Sequence, residues 1–352
     1  MSSAQAVQRK GVFFDSLHLK NFTTFGDAHF EFVGRGINVF VGENGTGKTH
    51  AMKLLFSWML CQSFKDARDL GFVKTLLRVM QADSEESLVR FDASDHRASI
   101  DLAYGERDWA EVLYGAGVPG GERGIHADLT RQGMERPVFI PAIEMLGHTK
   151  RFGDTYDTYE LDFDWTVRDI VRLLNIRRRS PAPQFEQVIR QLEEDALHGK
   201  VEFDDLEERF YLVQGGNRQP MPLVAEGLRK IATLHTLLEN GSINSGTTLF
   251  WDEPEVNLNP VLMDEVVRAL LEIARTGVQV FLATHSYVLL EELRDAAHAG
   301  EVRYFGFERD GNSVTVNGSD DLALLRPNPI LRQYESLYNR KMAKAFAERP
   351  SE

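Results

Sequence analysis

The chemistry most easily read from this chain lies in residues 42–49. Gly42, Glu43, Asn44, Gly45, Thr46, Gly47, Lys48 and Thr49 complete a G-x-x-x-x-G-K-[ST] phosphate loop. Such a loop wraps phosphate oxygens in backbone N–H groups, here those of Asn44 through His50, where a helix begins and its dipole favours negative charge. Lys48 is expected to reach the terminal phosphates of a nucleotide, and the Thr49 hydroxyl to hold Mg²⁺. Much later, Thr247-Thr248-Leu249-Phe250-Trp251 leads into Asp252 and Glu253. A carboxylate at the C-terminal end of a strand is a hard oxygen ligand, so Asp252 is expected at the same Mg²⁺. Glu253, one residue on, is placed to polarise an attacking water. Phe281-Leu282-Ala283-Thr284 ends in His285, expected to hydrogen-bond the γ-phosphate or that water. Ala225, Glu226 and Gly227 open a helical stretch. A glycine at a helix N-terminus lets N–H groups approach a phosphate closely.

Each of these residues needs an element to hold it. The apolar run Ile37-Asn38-Val39-Phe40-Val41 reads as a buried strand before the phosphate loop, and His50 to Cys61 as the helix after it. Two further strands precede, one through Phe14, Leu17 and Leu19 and one in which Phe30 and Phe32 alternate with polar neighbours. Strands are also expected at Leu88-Val89-Arg90-Phe91, at 98–104 and at Val138-Phe139-Ile140. Gly115 to Gly124, with five glycines and a proline, reads as a loop. Helical spacing of Val167, Ile170, Val171 and Leu174, and of Phe185, Val188, Ile189 and Leu192, predicts a helical hairpin divided at Ser180-Pro181-Ala182-Pro183. Three short strands follow, with a turn at Gly215-Gly216-Asn217. From residue 226 the order becomes helix, strand (247–252), helix (260–275), strand (278–283) and helix (287–296), the pattern of parallel strands with crossover helices. A hairpin around Asp310-Gly311-Asn312 and an amphipathic tail over 329–347 end the chain.

The 352 residues, 43% hydrophobic and 26% charged, suffice for one large domain or two modest ones. With 40 basic and 53 acidic residues the net charge is −13, which argues against broad binding to a phosphate backbone. The single cysteine, Cys61, excludes an intramolecular disulfide and a cysteine-based metal cluster. The N-terminal MSSAQAVQRK has no apolar core, and no window of about 18 apolar residues exists, so a cytoplasmic location without a membrane partner is expected.

Phosphate loop, signature-like glycine, Asp-Glu strand and histidine strand, in that order, resemble the ABC-type ATPase heads of the SMC, RecF and OLD families. Leu19-Lys20-Asn21-Phe22 followed by Gly42-Glu43-Asn44-Gly45 is similar to the usual start of such heads. Ala225-Glu226-Gly227-Leu228-Arg229-Lys230 and Trp251-Asp252-Glu253-Pro254-Glu255-Val256-Asn257-Leu258-Asn259-Pro260 look most like OLD-like AAA-family ATPases of bacterial phage-defence operons. The resemblance covers roughly residues 12–62 and 220–308. It implies an α/β P-loop NTPase of ABC-ATPase type, with a mixed central sheet, an antiparallel β subdomain and a helical insertion. The implied division is an N-terminal ATPase lobe (1–150), a helical insertion (151–200), a C-terminal ATPase lobe (201–308) and a hairpin end with a C-terminal helix (309–352).

The resemblance further implies Mg²⁺ and ATP, and a head-to-head dimer in which Gly227 and its neighbours contact the γ-phosphate held by the other subunit's Lys48. Glu253 becomes the inferred base and His285 the inferred switch histidine. Glu144, after Pro141-Ala142-Ile143, stands where a glutamine-loop equivalent would couple nucleotide to the insertion; a surface carboxylate is the other reading. Ala225 lacks the hydroxyl that many signature motifs carry, and Asn257 and Asn259 depart from the usual dimer-contact loop, so slow turnover is expected.

The leading functional expectation is an ATPase controlling a separate effector, a nuclease or toxin from a neighbouring gene. After His285 the chain reads as helix, hairpin and helix, without the carboxylate cluster of a Toprim nuclease; Asp320-Asp321 reads as a solvated pair. The second expectation is a DNA-clamping repair ATPase, supported by Arg172, Arg177, Arg178 and Arg179. A transporter-coupled ATPase is the third, with no membrane-coupling segment to support it.

Overall fold

The computed structural model describes residues 12–347 apart from 106–107, 117–124, 127–133, 160 and 178–179. Most of the expected glycine-rich loop and both Arg178 and Arg179 therefore lie outside the described residues.

Three sheets organise the described residues. The first is antiparallel, in the order β2 (Phe25–Glu31), β1 (Phe14–Phe22), β4 (Arg97–Tyr104), β5 (Asp108–Gly115) and β6 (Ile125–His126). Both edges of β1 are taken, and this explains a difference from the sequence reading. Leu88-Val89-Arg90-Phe91 forms no strand; the chain turns at Glu86–Leu88 and only Val89 bridges to Phe22. Its backbone instead closes the β1–β2 corner, with the Thr23 N–H donating to Leu88 O and the Arg90 N–H to Asn21 O, each at 2.8 Å.

The six-stranded central sheet runs β14 (Ser313–Ser319), β13 (Val302–Asp310), β3 (Ile37–Gly42), β12 (Gln279–Thr284), β11 (Thr248–Asp252), β7 (Val138–Ile140). All pairs are parallel except β13–β14, the hairpin at the edge. A small meander of β8 (Lys200–Asp204), β9 (Arg209–Gln214) and β10 (Asn217–Pro220) completes the set, its turn using Gly215 and Gly216 at positive φ.

The central strands are buried on both faces, and their alternation sorts side chains into two cores. Phe40, Phe250 and Phe281 face one core; Val39, Trp251 and Leu282, their neighbours in sequence, face the other. On the phenylalanine side α1 (Lys48–Ser63) lies between the central and antiparallel sheets, with α2 (Lys65–Leu70) and α3 (Phe72–Met80) against it. α1 is covered on most sides, burying Met52, Leu55, Phe56 and Trp58 among others, while Thr49, His50, Lys53 and Ser63 stay partly exposed. Buried Gln279 ties the layers together. Its side-chain amide accepts from the Phe14 N–H at 2.9 Å and donates to Phe14 O at 2.8 Å and to Val33 O at 3.1 Å.

The other core is helical. After α4 (Phe152–Tyr159) come α5 (Trp165–Leu174) and α6 (Glu186–Gln191), continuing through one π-helical turn to Ala196. Their apolar residues join one cluster with those of α7 (Glu226–Glu239), α8 (Met263–Arg275) and α9 (Tyr287–Ala296). The last helix, α10 (Pro329–Ala347), stacks Tyr334 on Tyr287 at 4.3 Å and projects largely exposed. No helix among the described residues is long and apolar enough to cross a membrane.

Candidate functional site

Strand β3 ends at Gly42, and the phosphate loop turns from it into α1 as its composition requires. Gly45 and Gly47 take φ of 76° and 89°. At the N-terminus of α1 no side chain caps the helix and no acidic residue sits in the first turn. The orphan N–H groups of that turn are thus left for an anion. The buried Lys48 ammonium donates to Gly42 O and Glu43 O at 2.8 Å each, leaving one of its three N–H bonds for a ligand. Burial lowers its pKa, opposed by Asp252, Glu253, Glu255 and Glu43. Thr46 Oγ1 donates to Glu43 O at 2.8 Å. His50 is half-buried, its pKa lowered first by burial and then by Lys53. Arg309, at the end of β13, closes the loop from outside by donating to Gly45 O at 2.9 Å.

Thr49 and Asp252 meet across a separation of 203 residues. The Thr49 hydroxyl lies 2.9 Å from Asp252 Oδ2 and 3.2 Å from Oδ1. Register explains it, because β12 bridges β3 and β11 and so brings the ends of both outer strands to one side of the sheet. Asp252 is only 8% exposed. Burial pushes its carboxyl up to about 6, with the Thr49 hydrogen bond opposing and the Glu253 charge adding. The direct partner of this buried carboxylate is a neutral hydroxyl, and the Lys53 and Lys48 charges offset its burial only in part, so the oxygen pair fits a small hard cation.

Glu253 follows at a left-handed φ of 48°, its N–H donating to Ala283 O at 2.9 Å. His285, from the end of β12, places Nδ1 3.3 Å from Glu253 Oε1 and 3.7 Å from Glu255 Oε1. Glu255 Oε1 also accepts from the Thr284 hydroxyl at 2.6 Å and from the His285 N–H at 3.1 Å. It fixes the histidine loop against the loop of Glu253, a role that sequence reading did not assign although Glu255 stands in the quoted run. Lys230 and Arg309 were passed over in the same way.

Gly227 sits in the first turn of α7, whose N-cap, Ala225, makes no side-chain cap hydrogen bond; Glu226 is the acidic residue of that turn. A Cβ on Gly227 would lie 2.6 Å from Asn257 O and 3.0 Å from Leu258 Cα. This glycine is therefore required by the chain's own packing, whatever else it meets. Ala225, Asn257 and Asn259 are exposed beside it. Glu144 is not the surface carboxylate of the second reading. It is buried, ion-paired to Arg229 Nε of α7 at 2.7 Å, and accepts from the N–H groups of Leu146 and Gly147. Burial raises its pKa, opposed by Arg229. Arg172 and Arg177 are exposed, each lying over an aromatic ring, Arg172 over Phe64 at 4.6 Å and Arg177 over Phe203 at 3.3 Å.

Comparison with solved structures decides the architecture. The SMC head domain from Thermotoga maritima superposes with a TM-score of 0.54 at 14% identity, covering 87% of this chain and 99% of that one. An SMC head bound to the C-terminal winged-helix domain of ScpA gives 0.55 at 12% identity, covering 87% and 97%. The chain has the fold of an SMC head. A third such head, with an extended coiled coil and bound to the C-terminal domain of ScpA from Pyrococcus furiosus, gives 0.52 at 10% identity over 94% and 100%. Two family models match segments of this SMC-head fold. Residues 16–108 match one described as "AAA domain", and residues 140–291 one described as "AAA domain, putative AbiEii toxin, Type IV TA system". No curated protein matches significantly. The α/β P-loop NTPase expectation, with its mixed central sheet, holds.

Proposed function

We propose that this chain is an ABC-type ATPase that binds and slowly hydrolyses Mg-ATP, dimerises head to head on ATP, and through that transition controls a separate effector protein, a nuclease or toxin, in anti-phage defence. The observation that carries the ATPase reading is the contact of Thr49 with Asp252 beside an uncapped α1 N-terminus. Asn44 to His50 supply the phosphate cradle, and Thr49 and Asp252 the oxygens for Mg²⁺. Bound there, Mg²⁺ would neutralise charge on the transferring phosphoryl group. Glu253 takes a proton from the attacking water, and His285, 3.3 Å from it, orients that carboxylate and senses the phosphate. Ala225, Glu226 and Gly227 cap the partner subunit's nucleotide.

Two exposed apolar side chains support the dimer: Leu223 is 71% and Val261 79% exposed, on the segments flanking Gly227 and Asn257–Asn259. The toxin system named in one family description supports the effector reading. The SMC heads solved with ScpA domains support docking of a partner protein on such a fold. DNA clamping draws on the same likeness to SMC heads. The net charge opposes it, and a gel-shift assay at low salt with ATP separates the two readings.

The test of the ATPase reading pairs two variants. Lys48→Ala is expected to abolish ATP binding by calorimetry. Glu253→Gln is expected to keep ATP and double the mass measured by light scattering. Unchanged affinity in the first variant, or wild-type hydrolysis in the second, removes the assignment.

A further inference from the structure

We propose that Lys230 is a positioning residue for Glu253, and that through it α7 joins the base of one nucleotide site to the cap of the other. The proposal rests on the dimeric ATPase reading and adds to it a residue that the phosphate-binding motifs do not contain. Lys230 is 2% exposed, yet its ammonium donates to a neutral acceptor, the backbone carbonyl of Glu253, at 3.0 Å. Burying a charged amine is expensive, and although the charges of Glu255, Glu226, Glu253 and Asp252 offset part of that cost, a hydrophobic side chain of similar volume would fill the space without it. What the lysine provides is a fixed carbonyl at a residue whose backbone is strained. Glu253 holds φ at 48°, a region that costs a non-glycine residue of order 1–3 kcal/mol unless its surroundings impose it. Both polar backbone groups of Glu253 are accordingly held, the N–H by Ala283 O of β12 and the carbonyl by the Val256 N–H of its own turn at 3.2 Å and by Lys230 of α7, its one anchor from another element.

Lys230 lies three residues after Gly227, on the same face of α7. Gly227 packs against the backbone of Asn257 and Leu258, so α7 grips the 253–258 loop at both ends. A shift of the α7 N-terminus on meeting the partner subunit's phosphate is then carried to the carbonyl of the base one turn away. Misplacing a catalytic group by about 1 Å can cost about 10²-fold in rate.

The experiment uses the full chain and compares Lys230→Met, Lys230→Gln and Lys230→Arg. The expected result is a fall in kcat of about 10–100-fold for Met and Gln. KM, ATP affinity by calorimetry and thermal unfolding should stay close to wild type, and Arg should recover most of kcat. Either of the first two variants, folded and turning over at the wild-type rate, overturns the proposal and leaves the ATPase reading intact. So does a parallel loss of ATP affinity and thermal stability with kcat preserved in the bound fraction, the mark of a merely structural lysine. A wild-type chain that neither binds nor hydrolyses ATP removes both readings.

Discussion

At Gly47 and Gly227 the same residue type answers two different demands. Gly47 sits at φ 89°, and a Cβ there would lie 2.5 Å from Thr24 Oγ1 and 2.8 Å from the Phe25 ring. The backbone angle belongs to the phosphate loop and was legible in the motif, whereas the crowding comes from the β1–β2 corner and was not. Gly227 has ordinary backbone angles, and its requirement comes from Asn257 and Leu258, thirty residues on. Substituting Gly227 would disturb packing before it tested any cap. Glu144 shows how burial reassigns a residue. Glu144→Ala would leave the Arg229 guanidinium without its carboxylate and strip Leu146 and Gly147 of an acceptor. The expected loss of stability is about 3–5 kcal/mol, read as a lowered urea midpoint at unchanged slope. A loss below about 1 kcal/mol would mean that the pair does not persist in solution.

Elements were legible where periodicity was strong. Ile231, Leu234 and Leu238 predict the helix over 226–239, and the observed bounds agree. The strands carrying Asp252 and His285 were equally clear, since buried parallel strands read as continuous apolar runs. Helices α2 and α3 and strand β5 went unread; α2 and β5 are short, and the helical spacing of Phe72, Val73, Leu76 and Val79 in α3 extends over only nine residues. The α7 N-terminus offers a test at this scale. Ala225 has cap-like backbone angles, φ −55° and ψ 139°, and no side-chain acceptor for the N–H groups beyond it. Ala225→Ser is expected to stabilise the fold by about 1 kcal/mol in urea unfolding. No gain would show that the serine hydroxyl is drawn elsewhere.

Across the whole molecule, one central sheet separates a phenylalanine-rich core under the phosphate loop from an aliphatic core around α7 and α8. The residues proposed to bind nucleotide line the C-terminal ends of β3, β11 and β12, where parallel strands leave a crevice. Leu223 and Val261 stand exposed on the neighbouring surface. Combined Leu223→Asp and Val261→Asp is expected to leave ATP affinity within about threefold of the parent. In a Glu253→Gln background it should abolish the ATP-dependent mass increase in light scattering, because charge at the proposed seam would cost several kcal/mol. A dimer that survives both changes would place the contact on another face.

The sequence by itself determined what depends on neighbours along the chain. The glycine angles of the phosphate loop, the helix that follows it, and the acidic and histidine residues closing apolar strands are all short-range patterns set by backbone sterics and periodicity. Only the tertiary structure decided which distant groups meet. Thr49 finds Asp252 across 203 residues, Gln279 bonds Phe14 across 265, and Lys230 holds a carbonyl on a different element. Strand order and helix packing fix such contacts, and a side chain's own sequence neighbourhood carries no record of the partner that burial will require of it.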